Sequence, residues 1–200
     1  SDLDQARAPF VGEVAGKTIA LIGIDGVTAN VDYPGSWAVP VNVGATASQP
    51  GTNPLVEDQI LADITSLASQ YDIVIPFFHA GEQYRWMLSE WMIGLARRCV
   101  DAGATTVVTS HPHVTQGMEW YNTTPLFYGI GNFIYDQMFT IDTSQGHIVD
   151  LTFRGDQIVG LRLHGIQIED FTQPRLLGPG ENAAFMDRIW RSHDFMRDRL

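Results

Sequence analysis

Three short apolar runs, each stopped by a turn or a polar residue, limit what this chain can fold into. Lys17–Ile24 lies between Gly16 and Asp25-Gly26, Asp72–Phe78 stops at His79, and Thr105–Thr109 stops at Ser110-His111. Runs of this length, rich in Val and Ile and closed by breakers, read as buried strands. Helical patterns separate them. Asn53-Pro54 reads as the cap and first position of a helix with Val56, Ile60, Ile64 and Leu67 on one face. A second helix is predicted from about Arg85 to Ala102, closed by Gly103. Strand–helix–strand–helix–strand with short turns implies parallel βαβ units with right-handed crossovers, and so an α/β fold.

Beyond the third run the pattern changes. Pro125–Gly129 reads as a further strand, and His147–Phe153 and Gln157–Gln167 alternate around Gly155-Asp156 as a β-hairpin. Asn182–Leu200 is a mixed Arg/Asp helix that offers Phe185, Ile189 and Phe195 for docking. Residues 28–54 carry Pro34-Gly35, Pro40, Gly44 and Pro50-Gly51 without periodicity, and form a long loop. No repeat, linker or low-complexity tract divides the 200 residues, so one domain with a sizeable core is expected.

Composition removes several function classes. With 23 acidic and 12 basic residues the formal charge is −11, the wrong sign for a diffuse nucleic-acid binder. No window approaches the roughly 18 apolar residues of a membrane span, and no basic-then-apolar start marks a signal peptide. The single Cys99 excludes an internal disulfide and any multi-cysteine metal site, and on its predicted helix it reads as a small buried hydrophobe.

The chemistry-bearing residues fall where a parallel sheet builds its sites. His79 closes the second run and His111-Pro-His113 closes the third, which places three imidazoles at the carboxyl ends of two strands. Neighbouring strands lie about 5 Å apart, and imidazole–metal bonds are about 2.0–2.1 Å, so this edge could hold one or two divalent ions. The His-Pro-His spacing sends its two rings to different sides of a tight turn, which suits two ions better than one. Each histidine could instead be a hydrogen-bonded structural residue. Two-metal sites also use carboxylates, and the candidates are Asp25, Glu82 and Asp136, each more readily read as a turn or surface residue. Asn132, in Gly129-Ile-Gly131-Asn132-Phe133, could orient a ligand or stabilise a turn. A Ser110-His111 nucleophile pair is the weaker alternative, because no nucleophile elbow surrounds it. Trp120-Tyr121 could wall a substrate groove or belong to the core.

The segments His79-Ala-Gly-Glu-Gln-Tyr84, Asp101-Ala-Gly-Ala104, Ser110-His-Pro-His-Val-Thr-Gln-Gly117 and Tyr128-Gly-Ile-Gly-Asn-Phe133 occur in an order that resembles one family. The chain resembles the bacterial capsule-synthesis, poly-γ-glutamate proteins of CapA/PgsA type, within the calcineurin-like metallophosphoesterase superfamily, over residues 6–175. The resemblance implies a layered α/β metallophosphoesterase-like sandwich with two divalent ions (Mn, Fe or Zn). His79 and His111 would face one ion and His113 the other. Hydrolysis would then involve His111 and a proton relay at Glu82, with Tyr84, Arg85, Gln116 and Asn132 as substrate contacts. The substrate would be a phosphoester, a γ-glutamyl amide or an anionic polymer. A non-catalytic cell-surface assembly or binding protein for poly-γ-glutamate is the alternative, and a degenerate member without metal a third.

Two departures from the family pattern bear on the site. Ala80 stands where the family often has Trp, and Gln83 stands for the family Glu before Tyr84. The family's upstream Gly-Asp strand and Asn-Leu-Glu turn are also missing before Gly16. The expectation is therefore the C-terminal part of a family domain with an incomplete metal site, the remainder processed, lost or supplied by a second chain. The implied location is the bacterial cell surface or outside it, with any membrane anchor on a segment absent from this chain.

Overall fold

The computed structural model describes residues 2–27 and 43–197. The three apolar runs form adjacent parallel strands: β2 (Lys17–Asp25), β3 (Ile73–His79) and β4 (Val107–Ser110). A fourth parallel strand, β6 (Thr124–Phe127), lies beside β4. Antiparallel strands finish both edges, β1 (Phe10–Val14) on β2 and β5 (Met118–Tyr121) on β6, giving the order β1-β2-β3-β4-β6-β5. Before β1 runs a short helix, α1 (Leu3–Arg7), whose Arg7 pairs with Asp63.

Crossovers β2–β3 and β3–β4 each carry one helix, α2 (Glu57–Ala68) and α3 (Glu90–Asp101). Both step the same way across the sheet, so right-handed crossovers place them on one face. There Ile60, Ile64 and Leu67 of α2 and Met92, Leu95, Ala96 and Cys99 of α3 share a core with Ile22, Val74, Phe78, Val107 and Leu126. Burial in this core pushes the Cys99 thiol up to about 12, which leaves it an unreactive apolar side chain.

Both helices start later than their sequence pattern suggests. Asn53 and Pro54 do not open α2, because they run extended along the end of β2. Asp25 N–H donates to the Asn53 carbonyl (2.8 Å), Leu55 N–H to the Asp25 carbonyl (3.0 Å), and the Asn53 amide to the Gly23 carbonyl (2.9 Å). Val56 is therefore the cap, and it is exposed rather than on the core face. Helix α3 begins at Glu90 instead of near Arg85, since the carbonyls of residues 85–87 accept from distant side chains rather than from the N–H groups of a helical turn. Gln116 Nε2 donates to the Arg85 carbonyl (2.7 Å) and Ser192 Oγ to that of Trp86 (2.7 Å).

The expected hairpin is β7 (Gln145–Arg154) with β8 (Gln157–Glu169), and β9 (Gln173–Leu176) extends it to a three-stranded sheet. Its junction with the large sheet is a bridge between Gly131 and Gly146. A Cβ on Gly146 would stand 2.1 Å from the Asn132 carbonyl oxygen, so only glycine permits this approach. The C-terminal helix, α4 (Pro179–Arg197), buries Phe185 and Ile189 and contacts β5 and β8. Of the expected long loop, residues 28–42 lie outside the described residues, as do residues 198–200 of the expected C-terminal helix. Residues 43–54 hold a bridge between Gly44 and Thr52. Among the described residues no helix is long and apolar enough to cross a membrane.

His147, near the start of β7, is buried with Nδ1 lacking a hydrogen-bond partner and its ring 6.0 Å from that of Phe185. Burial pushes its pKa down to about 4. The unfolded chain, near 6.5, therefore takes up the proton first. The stabilisation is complete above about pH 7, falls as pH drops through 6.5, and is lost below about 4. Between pH 7 and 5 this amounts to about 2 kcal/mol. Urea unfolding of His147→Gln should show a correspondingly shallower loss of stability over that range. Parallel pH profiles for variant and native protein would assign the acid sensitivity elsewhere.

Candidate functional site

The sheet register assembles the site. Asp25 at the end of β2 lies level with His79 at the end of β3, and His79 lies level with Ser110 at the end of β4. His111 follows directly, so the imidazoles of His79 and His111 meet with ring centroids 4.8 Å apart, and His111 and His113 stand 5.8 Å apart. The expected convergence of three imidazoles at two strand ends is thus observed. The chain is bent hard to achieve it: φ is +100° at His111, +59° at His113 and +60° at Tyr84. Side chains other than glycine rarely adopt these values, each at a cost of about 1–3 kcal/mol, and such residues cluster at functional sites.

Hydrogen bonds fix which ring nitrogens keep lone pairs. Ser110 Oγ donates to the Phe78 carbonyl (3.4 Å) and so accepts from His79 Nδ1 (3.3 Å). That leaves His79 Nε2 to accept from His111 Nδ1 (3.2 Å), and His111 Nε2 remains a bare lone pair, buried and without a partner. Burial, reinforced by His79 and His113, pushes His111 down to about 4, and burial lowers His79 as well. Asp25 opposes both shifts, yet the two rings stay neutral at pH 7.

His113 is held separately. Asn132 Nδ2 donates to the Thr143 carbonyl (2.9 Å), so its Oδ1 faces His113 and accepts from Nδ1 (2.9 Å). The His113 lone pair is then on Nε2. Tyr84 and Tyr135 stack on the ring at centroid distances of 5.8 and 5.0 Å, and Gln137 joins Asn132 (3.4 Å) to the Tyr84 hydroxyl (2.9 Å). Sequence reading did not single out Tyr135 or Gln137. Their only signal is position, three and five residues beyond Asn132.

The other expected residues lie around this cluster in different roles. Glu82 is exposed and faces Arg85 at 3.6 Å. Both line a cavity of about 170 Å³ with Ala80, Met92, Gln116 and Phe195. Gln116 is buried, and its amide serves the Arg85 and Met87 carbonyls, so it braces the cavity wall. Asp25 is buried and accepts from Val27 N–H (2.9 Å) and the Thr52 hydroxyl (2.9 Å). Asp136 does not pair with the imidazoles among the described residues. Trp120 is exposed on edge strand β5, and Tyr121 donates to Asp101 (3.2 Å).

The donors suit a divalent ion in kind. All three imidazoles carry their lone pair on Nε2: that of His111 is orphaned in the interior, that of His79 is engaged by His111 Nδ1–H and would have to exchange this bond for an ion, and Asp25 supplies nearby negative charge. Among the described residues, however, no three His, Cys, Asp or Glu side chains converge as a ready cage. Replacing Asn132 by Leu should release His113 toward its Nε2–H tautomer, readable from imidazole nitrogen shifts by NMR, and cost about 1–3 kcal/mol. An unchanged tautomer would show that Asn132 does not orient the ring.

Comparison with known proteins agrees with this architecture. The family model "Bacterial capsule synthesis protein PGA_cap" matches residues 1–137. "PGA biosynthesis protein CapA" of Bacillus subtilis (strain 168) is 33% identical over 128 residues, covering 64% of this chain and 31% of that protein. "Capsule biosynthesis protein CapA" of Bacillus anthracis is 37% identical over 151 residues, covering 74% and 36%. The chain therefore spans about a third of the length of these relatives. Among solved structures, the sulfate thiohydrolase SoxB of Thermus thermophilus superposes with a TM-score of 0.52 at 16% identity, over 94% of this chain and 29% of SoxB. A hypothetical protein from the same species gives 0.50 at 14%, over 82% and 66%. These likenesses identify the fold as metallophosphoesterase-like α/β. With more than half its length matched by the family model, the chain belongs to the bacterial capsule synthesis protein family PGA_cap.

Proposed function

We propose that this chain carries part of a metal-dependent hydrolase of calcineurin-like type that acts in the synthesis or processing of a poly-γ-glutamate capsule. The observation behind this reading is the imidazole cluster, with His111 Nε2 buried, neutral and unpartnered at the end of a parallel sheet. A buried polar atom without a partner costs about 1–3 kcal/mol, and a ligand that takes its lone pair removes that cost.

His79 and His111 would hold one ion, Mn, Fe or Zn, and His113 a second. Such ions supply Lewis acidity toward the scissile ester or amide and lower the pKa of water. The chain's own part is orientation. Ser110 turns His79, Asn132 turns His113, and the Tyr84–Tyr135 stack keeps the latter ring from rotating. Glu82, exposed beside Arg85, is the candidate proton relay, and the cavity they line opens next to Ala80 at the end of β3. Family membership favours a bacterial cell-surface or extracellular setting and an anionic γ-glutamyl polymer or a small phosphoester as substrate. A second chain or segment would complete the ligand set.

The absence of a closed cage among the described residues also favours a second reading, a protein that binds the polymer without cleaving it. The two separate experimentally. His111→Ala should lower bound metal below one equivalent and reduce hydrolysis of a phosphoester or γ-glutamyl substrate at least about a hundredfold. Unchanged metal content and turnover would overturn the hydrolase reading. Polymer binding without product in the native, metal-loaded protein would establish the binding one.

A further inference from the structure

A groove of about 280 Å³ lies between α4 and the segment that carries His113, lined by Trp86, Val114, Thr115, Asp142, Arg188 and Arg191. Val114 and Thr115 follow His113 directly, so the groove adjoins the imidazole cluster along the chain. Its position on α4 is fixed by Ser192, which is fully buried. Ser192 Oγ accepts from Gly117 N–H (2.8 Å) and donates to the Trp86 carbonyl (2.7 Å). The neighbouring Arg191 is thereby anchored relative to both walls.

Arg191 differs from most cations of this chain. Arg7, Arg97, Arg98 and Arg175 are held by carboxylates, and Arg188 faces Asp142 at 3.2 Å and donates to Gln145. Arg191 has no hydrogen-bond or ion-pair partner among the described residues, in a chain with 23 acidic residues. It is exposed at the groove beside the Trp86 indole. The groove's charged groups are Arg188, Arg191 and Asp142, a net of about one positive charge. That matches a carboxylate better than a phosphate dianion, and Trp86 and Val114 offer apolar contact to methylenes between carboxylates.

We infer that this groove is a subsite for one carboxylate of an anionic chain, held by Arg191 while an adjoining part of the same chain lies at the imidazole cluster. Arg188, fixed by Asp142 and Gln145, shapes the subsite, and the free guanidinium supplies the contact. The inference rests on the preceding reading for the identity of the chain as a γ-glutamyl polymer, but it concerns recognition and not cleavage.

The test is direct titration of the native protein with a short γ-glutamyl oligomer, with inorganic phosphate as a second probe. Arg191→Ala should weaken oligomer binding about tenfold, and Arg191→Lys should restore part of it as a point charge. Binding should weaken as salt rises, with a shallower dependence in the alanine variant. Urea unfolding of both variants should match the native protein, since Arg191 makes no internal bond. Equal oligomer binding by native and alanine proteins would overturn the subsite, as would phosphate binding that depends on Arg191 more strongly than oligomer binding does. Neither result depends on metal content or turnover, so the hydrolase reading stands or falls separately on His111.

Discussion

The site depends on the register of three parallel strands. Asp25, His79 and Ser110 are level because β2, β3 and β4 pair without slippage, and a one-residue shift would turn His79 to the opposite face. That register is locked at the far end of the sheet. Asp72, just before β3, accepts from Lys17 Nζ (2.7 Å), Thr18 N–H (2.9 Å) and the Thr18 hydroxyl (2.9 Å). These donors hold its carboxyl at about 2, so the lock persists through all but strongly acidic conditions. Thr105 does the same between β3 and β4, exchanging bonds with Val74 N–H (3.0 Å) and the Val74 carbonyl (2.8 Å). Two polar clasps at the amino ends thus determine which imidazoles meet at the carboxyl ends.

Beyond the strand ends the backbone leaves ordinary geometry. Left-handed φ values at His111, His113 and Tyr84 would relax if the turn were free, but the neighbouring amides are committed. Ala80 N–H donates to the Ser110 carbonyl (3.0 Å) and Tyr84 N–H to the Pro112 carbonyl (2.8 Å), so the two strand-end turns constrain each other. Pro112, with its fixed φ and missing donor, stands between the two histidines and helps to separate their rings. The strain is the physical counterpart of two neutral rings, His79 and His111, set against each other in a partly buried pocket, an arrangement that local preference alone would not select.

Much of this was legible because it is local. Apolar runs with breakers gave the parallel strands, Gly155-Asp156 gave the hairpin, and histidines at strand ends gave the cluster. Strand β1 was not legible, because its two-residue turn to β2 is Ala15-Gly16 with Ala15 at φ +51°, a choice that carries no turn signal at its first position. Strands β5 and β9 are four-residue pieces without a full alternation. The start of α3 was misplaced because distant side chains take the backbone groups that a helix would use, Gln116 at residue 85 and Ser192 at residue 86, and that of α2 because residues 53–55 pair with the backbone at the end of β2. The Gln116 amide likewise finds its partners in carbonyls about 30 residues away, which no local pattern encodes.

The division between the family-matched residues and the rest has a physical meaning. The imidazoles of His79, His111 and His113 all lie within residues 1–137, yet their setting is completed from beyond it. The Thr143 carbonyl dictates which way Asn132 points, and through it which nitrogen of His113 keeps its lone pair. His147 N–H holds the Ile130 carbonyl (3.0 Å), and Gly146 admits the Asn132 backbone at a distance that any side chain would prevent. Helix α4 braces residues 86 and 117 through one buried serine. The chemistry-bearing rings and the parts that aim them are therefore separable along the chain. Changes in β7, β8 or α4 can alter orientation and the adjoining groove while leaving the imidazoles in place. The chain carries a net charge of −11. Its general field repels polyanions, so on the proposed reading attraction to such a ligand would be concentrated locally, in cations held at the imidazoles and in an arginine left without an internal partner.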